Sequence, residues 1–336
     1  MSQLSPTRHL SGDATTPGSG RRAQPLVAIL AVASLLLGVS CSGDKADEGT
    51  GTGSSSNSGK PGEGTEATGG TSKPAVPART FVAATEYAFA VSGTLVEKTG
   101  SLEFRNDGTQ LHMLTVNRLR EGRGAPQLAQ AIQGEDRAGV EAAIEPEEIG
   151  APGGALGPGH RQAVTASELK AGRYAIVCLY PAPDGKSHAA KGMVGELTVV
   201  PNTGETTSPA PDHRVTISKD GIEGAPTKLV PGNTSFQVRS SAGIHNFIAV
   251  RLEEGKSYPD VEGYFRAFLT GGAAGVAPPG ELVGLVYEFS EGQTLQVTFD
   301  LEPGRYFLGC TYADENPEKT GDDHYLRAEH VELVVS

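Results

Sequence analysis

YAIVCLYPAPDGKSHAAKGMVGELTV, residues 174–199, places one cysteine, one histidine and one methionine between two runs rich in aliphatic residues. These three are Cys178, His188 and Met193, and another histidine, His112, lies upstream in a strand-like run of its own. Two imidazoles, a thiolate and a weakly bound thioether form a ligand set that suits copper. The stretch therefore predicts two strands with a candidate metal site at their ends.

The composition excludes several classes of protein. The chain has 336 residues, enough for two ordinary domains, and a net charge of −12 with a pI near 5.2. An acidic protein is a poor partner for a polyanion, so we expect no nucleic-acid binding. The 45 glycines and 22 prolines indicate a turn-rich chain, and three cysteines are too few for a disulfide scaffold.

Residues 1–41 have the pattern of an export signal. Arg21 and Arg22 precede an apolar run, Pro25–Gly38, that is too short for a comfortable membrane span. The run ends in small residues before Cys41, which resembles a bacterial lipobox with Cys41 as the lipidated residue. An ordinary cleaved signal peptide with an incidental Cys41 is the alternative. The paired arginines also fit a twin-arginine signal, although the rest of that motif is missing. We expect an extracytoplasmic protein of the bacterial cell envelope, anchored to the cell membrane through Cys41.

Residues 42–79 are rich in Gly, Ser and Thr and nearly free of large apolar side chains. Such a segment cannot offset the entropy of ordering, so we predict a disordered linker. Its root-mean-square reach is roughly 30–37 Å by the estimate for Gly-rich chains.

The remainder contains an internal repeat. At a constant offset of 133 residues, HMLTVNRLREG from His112 matches HNFIAVRLEEG from His245, and at an offset of 132 LKAGRYAIVC matches LEPGRYFLGC. The second match pairs Cys178 with Cys310. We place unit 1 at residues 80–200, a linker at 201–212 and unit 2 at 213–336, since repeats of this kind specify one structural unit each.

Both units read mainly as short strands bounded by turn residues. The predicted strands are Thr80–Ala88, Gly100–Arg105, His112–Leu119, Gly172–Leu179 and Val194–Val200, then Arg214–Ser218, Thr234–Arg239, His245–Leu252, Thr294–Phe299, Arg305–Cys310 and Val331–Val335. Apolar residues at helical spacing predict a helix after Ser257 and Asp260, which form a capping box. Weaker helices are predicted at Pro126–Gln133 and Asp136–Ala143. The fold class is therefore all-β, with a helical insertion in each unit.

Unit 1 resembles a cupredoxin, the blue-copper family of plastocyanin and azurin. The resemblance covers most of the unit: Glu86–Phe89, the turn Phe104–Gly108 before His112, then Gly172–Tyr174, Cys178, His188 and the final run Gly192–Val199. It implies tandem Greek-key β-sandwiches. It also implies one copper ion in unit 1, with His112 and His188 as imidazole ligands, Cys178 as the thiolate and Met193 as the weak axial ligand.

One spacing departs from the family pattern. Nine residues separate Cys178 from His188, where plastocyanin has two and azurin four. The segment contains Pro181, Pro183, Asp184 and Gly185, a turn-forming set that could bulge outward and return His188 to the site. The alternative is that the segment carries His188 away and leaves Cys178 as a small buried residue.

Unit 2 keeps His245 and Cys310 but has no methionine after them. Two further histidines, His324 and His330, lie beyond Cys310. With His245, Asp322, Asp323 and Glu329, they could bind zinc or Cu(II) in an open geometry. A solvated acidic loop that happens to contain histidines is the other interpretation.

The favoured function is copper binding in unit 1, with electron transfer to or from a redox partner protein, or copper handling, outside the membrane. A metal-free surface binding module and copper sequestration by both units are the alternatives. We expect no enzyme, because the sequence has no catalytic motif and lacks the His-x-His pairs and the Cys-His dipeptide of multicopper oxidases.

Overall fold

The structure of the protein is a computed structural model. It describes residues 79–145, 152–165, 168–204, 208–218, 220–269, 278–312 and 330–336. The predicted signal sequence with Cys41, linker residues 42–78, and His324 with its acidic neighbours lie outside the described residues. Within those ranges, no helix combines the length and the apolar character needed to cross a membrane.

The first half of the described chain, through residue 200, holds nine strands, two helices and one 3-10 turn at Ala189–Lys191. The strands are β1 (Arg79–Thr85), β2 (Ala88–Ser92), β3 (Leu95–Val96), β4 (Ser101–Asn106), β5 (His112–Arg118), β6 (Gly154–Leu156), β7 (Arg161–Thr165), β8 (Gly172–Val177) and β9 (Val194–Val200). The helices are α1 (Ala125–Gln133) and α2 (Arg137–Ala143).

The second half, from residue 213, holds a further nine strands and one helix among its described residues. The strands are β10 (His213–Ser218), β11 (Gly221–Glu223), β12 (Lys228–Leu229), β13 (Gly232–Ser240), β14 (His245–Leu252), β15 (Gly280–Phe289), β16 (Thr294–Leu301), β17 (Gly304–Gly309) and β18 (His330–Val335). The helix is α3 (Tyr258–Leu269).

Local signals place the helices where the sequence predicts them. The Asp260 carboxylate accepts hydrogen bonds from the backbone N–H and the hydroxyl of Ser257, at 2.8 and 2.6 Å, before α3. Asp136 caps α2 by accepting the Gly139 N–H at 3.0 Å. These bonds satisfy groups that a helix start leaves without intrahelical partners.

The strands form two sheets that enclose the core. One has the order β11-β10-β13-β16-β7-β4-β1-β2 and the other β12-β18-β17-β14-β15-β6-β5-β8-β9-β3. Alternate side chains of β1 and β4, such as Val82 and Phe104, pack against Leu114, Ile176 and Leu197 of the second sheet. In the second half, Phe236, Val297, Phe247 and Leu333 pack in the same way. The predicted class, an all-β sandwich fold with helical insertions, is confirmed.

Both sheets run without interruption from one half into the other. In the first sheet β7 pairs antiparallel with β16, and in the second β6 pairs antiparallel with β15. We call these two pairings, β7 with β16 and β6 with β15, the seam. Counted outward from the seam, the two halves have the same strand order and the same parallel and antiparallel neighbours. Since equivalent strands meet, the halves are related by a pseudo-two-fold axis, like the subunits of an isologous dimer.

Specific polar contacts hold the seam. The buried Gln162 amide donates to the Leu285 carbonyl at 3.0 Å, and Arg161 pairs with Asp300 at 2.9 Å. Leu282, Leu285 and Tyr287 of β15 pack against the core of the first half. Residues 80–200 and 213–336 therefore share sheets, which the prediction of two units joined by a linker did not foresee.

Two local differences from the predicted strands have a physical cause. The run Thr80–Ala88 is not one strand, because the chain turns at Glu86 and Tyr87, and Tyr87 has a φ of +65° in the left-handed region. The seam strands β6, β7 and β15 were not predicted. β6 has only three residues, which is too short for a residue pattern that predicts a strand. It is a strand because it pairs with its neighbours β5 and β15.

Candidate metal centre

Three predicted ligands meet at one end of the sandwich. His112 begins β5, Cys178 directly follows β8, and His188 comes immediately before the 3-10 turn. All three side chains are fully buried. Each offers one ligand atom, and these atoms lie within 4.8 Å of one another, the one group of this kind among the described residues.

The distances between the ligand atoms fit a single metal ion. His188 Nδ1 lies 3.2 Å from His112 Nδ1 and 3.4 Å from Cys178 Sγ, and Sγ lies 3.9 Å from His112 Nδ1. The centre of a triangle with these sides is about 2.0 Å from each corner, close to metal–nitrogen bonds of about 2.0–2.1 Å and metal–sulfur bonds of about 2.3 Å. The separations of the three donor atoms therefore fit one ion bound by all of them.

The nine residues between Cys178 and His188 form a small hairpin. Pro181 and Ser187 face each other across its neck, the Ala182 N–H donates to the Lys186 carbonyl at 2.7 Å, and Gly185 takes a φ of +82° at the tip. The hairpin bulges from the strand ends and returns the chain beside its start. Of the two outcomes open from sequence, the structure shows the one that brings His188 to the site.

Backbone hydrogen bonds fix the base of this hairpin. The His188 N–H donates to the Tyr180 carbonyl at 2.8 Å, and the Ala189 N–H donates to the Cys178 carbonyl at 2.8 Å. The Cys178 N–H donates to the Met193 carbonyl at 3.2 Å, and the Met193 N–H donates to the His188 carbonyl at 2.9 Å. The backbone alone thus keeps three candidate ligands together.

Met193 lies buried in the same core cluster as Cys178. The Cys178 sulfur accepts a hydrogen bond from the Met113 N–H at 3.3 Å. A donor aimed at the sulfur and an apolar surround are the features through which a protein tunes a metal–thiolate bond.

Burial keeps the three ligands uncharged in the metal-free protein. It raises the pKa of the Cys178 thiol to about 12, and it lowers the pKa of His188 to about 4, with His112 adding to that shift. Burial also lowers the pKa of His112. Neutral imidazoles carry the free lone pair that a metal needs.

Several surrounding residues were not assigned a role from sequence. The rings of Tyr87 and Tyr180 meet His188 edge-on, with centroids 5.1 and 5.6 Å away, and Gln110 Oε1 lies 3.2 Å from His188 Nε2. The Glu86 carboxylate, whose pKa is lowered to about 2 mainly by the Thr109 backbone bond, anchors the loop that carries Gln110. Tyr87 belongs to the motif Glu86–Phe89, which resembles that of cupredoxins. No sequence motif points to a role for Gln110.

The second half arranges its candidates differently. His245 begins β14 with Nε2 at 2.6 Å from the Ala242 carbonyl, and Cys310 is buried after β17. The ring of His330 packs against those of Tyr258 and Phe307, with centroids 5.3 and 5.1 Å away, and its Nδ1 lies 3.9 Å from Glu262. Within the described ranges, His245, Cys310 and His330 do not form a three-ligand cluster.

Among the described residues, neither Cys178 nor Cys310 forms a disulfide bond. A buried thiol without a disulfide partner has two common roles, packing and metal binding. The first half surrounds its thiol with imidazoles, and the described part of the second half does not.

No protein-family model and no curated protein matches this chain. Solved structures do match in part. Auracyanin from Roseiflexus castenholzii is 15% identical over 37% of this chain and 94% of its own, with a TM-score of 0.26. Auracyanin A, a blue copper protein from Chloroflexus aurantiacus, is 20% identical over 37% of this chain and 98% of its own, also at 0.26. A multicopper oxidase is 13% identical over 77% of this chain and 88% of its own, at 0.23. These scores are too low to support an inference about this chain.

Proposed function

We propose that the first half binds one copper ion through His112, Cys178 and His188, with Met193 as a weak axial ligand. This proposal rests on the buried triangle formed by His112 Nδ1, His188 Nδ1 and Cys178 Sγ. The centre of the triangle lies at bonding distance from all three atoms. The resemblance of the flanking motifs to cupredoxins supports the same assignment.

Copper is favoured over zinc by the composition of the ligand set. A thiolate and two imidazoles with a buried thioether nearby suit both oxidation states of copper, whereas structural zinc sites usually have four strong ligands. When bound, copper would supply one-electron exchange. The chain would hold the donors in a fixed geometry and exclude water, because all three ligand side chains are buried.

Electron transfer is the role we favour, with copper handling as the alternative within the same class. A rigid ligand set needs little rearrangement when the charge on the metal changes, which favours fast transfer. The backbone bonds that tie Cys178, His188 and Met193 together provide that rigidity. We also propose that the protein is not an enzyme, since nothing in its sequence supplies a catalytic motif.

Titration of the full-length protein with Cu(II) tests this function. We expect an intense visible thiolate-to-copper band that saturates at one equivalent, bleaches on reduction and returns on reoxidation. Zn(II) should compete without colour, and bound metal should raise the melting temperature because it binds only the native state. A colourless titration would exclude the copper–thiolate site. A band that forms but cannot be cycled would favour copper handling.

We further propose that Cys41 carries the lipid anchor and that the protein acts in the bacterial cell envelope. The support is the apolar run that ends in small residues before this cysteine. Replacing the cysteine removes the only group to which the lipid attaches. We therefore expect Cys41→Ser to move most of the protein from the membrane fraction to the soluble fraction. Cys310→Ser is the control and should stay with the membrane. Unchanged membrane association of Cys41→Ser would contradict lipidation there.

A further inference from the structure

The second ring nitrogen of His188 has a defined partner. Nε2 lies 3.2 Å from Oε1 of Gln110. An amide oxygen can only accept, so this contact is a hydrogen bond when the hydrogen of the neutral imidazole is on Nε2. Nδ1 then keeps its lone pair, and it is Nδ1 that faces Cys178 and His112.

Gln110 is itself held from both sides of its backbone. Its N–H donates to Glu86 Oε1 at 3.2 Å, and its carbonyl accepts the amide of the buried Asn106 at 2.8 Å. Glu86 Oε1 also accepts the Thr109 hydroxyl at 3.0 Å. The loop before His112 is thereby fixed, and the amide of Gln110 is presented to His188.

The aromatic and backbone neighbours of His188 do not choose between its tautomers. Tyr87 and Tyr180 meet the ring edge-on and fix its plane through packing. The hydrogen bond from the His188 backbone N–H to the Tyr180 carbonyl fixes the position of the His188 backbone. Neither kind of contact distinguishes a hydrogen on Nε2 from one on Nδ1. Cys178 Sγ and His112 Nδ1 face Nδ1, and each can donate or accept according to where its own hydrogen lies. Gln110 Oε1 is the polar contact with a fixed role, because an amide oxygen can only accept.

The internal repeat offers a comparison. At the offset of 133 residues that pairs His112 with His245, Gln110 corresponds to Gly243, which has no side chain. The half whose described residues form no ligand cluster therefore also lacks this amide.

We propose that Gln110 is a positioning residue that sets the Nε2–H tautomer of His188 and so prepares Nδ1 for the metal. This inference deepens the copper-binding function proposed above and rests on it. Partners of a histidine ligand's outer nitrogen fix its tautomer and ring orientation, and their loss costs about 10–100-fold in metal affinity.

Two variants of the full-length protein separate this role from packing. Gln110→Met keeps the approximate size of the side chain but removes the acceptor, whereas Gln110→Glu keeps an acceptor. In nitrogen-15 spectra of the metal-free protein, we expect wild type and Gln110→Glu to show the Nε2–H tautomer of His188. Gln110→Met should show the Nδ1–H form or a mixture. Gln130→Met, on the exposed side of α1, is the control and should resemble wild type.

Copper affinity gives the second readout. We expect Gln110→Met to bind Cu(II) about 10–100-fold more weakly than wild type, and Gln110→Glu to stay close to wild type. An unchanged Nε2–H tautomer in Gln110→Met would overturn the inference. Because that spectrum needs no metal, it is decided separately from the copper-binding function, which fails only if wild type forms no coloured complex.

Discussion

Cys178→Ser is expected to abolish the visible copper band. The band requires a thiolate bonded to copper, and among the described residues Cys178 has the thiol that lies beside two imidazoles. A serine hydroxyl is a far weaker ligand, so Cu(II) affinity should also fall by more than about 100-fold, beyond the usual cost of an outer-shell change. Spectrophotometric titration measures both effects.

Cys310→Ser is the matched control for this variant. Cys310 occupies the equivalent position in the repeat and is equally buried, so both substitutions place a hydroxyl in a core. Any loss of stability should be similar in the two proteins, and circular dichroism can measure it. We expect Cys310→Ser to keep the full band. Loss of the band in both variants, or in neither, would refute Cys178 as the thiolate ligand.

Gly154→Ala is expected to destabilise the whole described fold. A methyl group at this position would overlap the Leu285 carbonyl and the Gln162 amide, which are hydrogen-bonded to each other across the seam. Overpacking of this kind costs about 1–3 kcal/mol, and disturbing a buried hydrogen bond adds about 1 kcal/mol. For a protein of this size we expect the melting temperature to fall by roughly 6–12 °C.

Calorimetry suits this test because the chain has no tryptophan for fluorescence. Since both sheets cross the seam, we expect wild type and Gly154→Ala each to unfold in one transition. Gly263→Ala in α3 is the control: its new methyl group meets nothing within 4 Å, and alanine favours a helix by about 1 kcal/mol over glycine. It should melt at or slightly above the wild-type temperature. A wild-type melting temperature for Gly154→Ala would show that the seam is not tightly packed.

The strands that flank the candidate ligands are predictable because their signals are local. β5, β8 and β9 are short aliphatic runs bounded by glycine and other turn residues, and the predicted bounds differ from the observed ones by two residues or fewer. The capping pair before α3 was equally local. The sequence does not decide whether His188 returns to the site, because a Pro-rich turn specifies a bend without specifying where the chain goes next.

The features that sequence did not reveal depend on contacts between distant residues. The amide of Gln110 gains its role only when residue 188 folds back beside it. The seam pairs residues more than 120 positions apart, such as Gln162 and Leu285. The residue pattern within β6 or β7 does not indicate which strand of the other half it will pair with. The repeat and its polar linker therefore predict tandem sandwiches, and they carry no signal that the two units share sheets.

The pseudo-two-fold seam has a consequence for how the halves can change over time. Each half covers strand edges that its counterpart would otherwise expose, and exposed strand edges favour association between molecules. The contacts that cover these edges involve β6, β7, β15 and β16. They involve none of the candidate ligands. A half can therefore change in its loops and still be retained by selection, as a permanent partner for the strands of the other half.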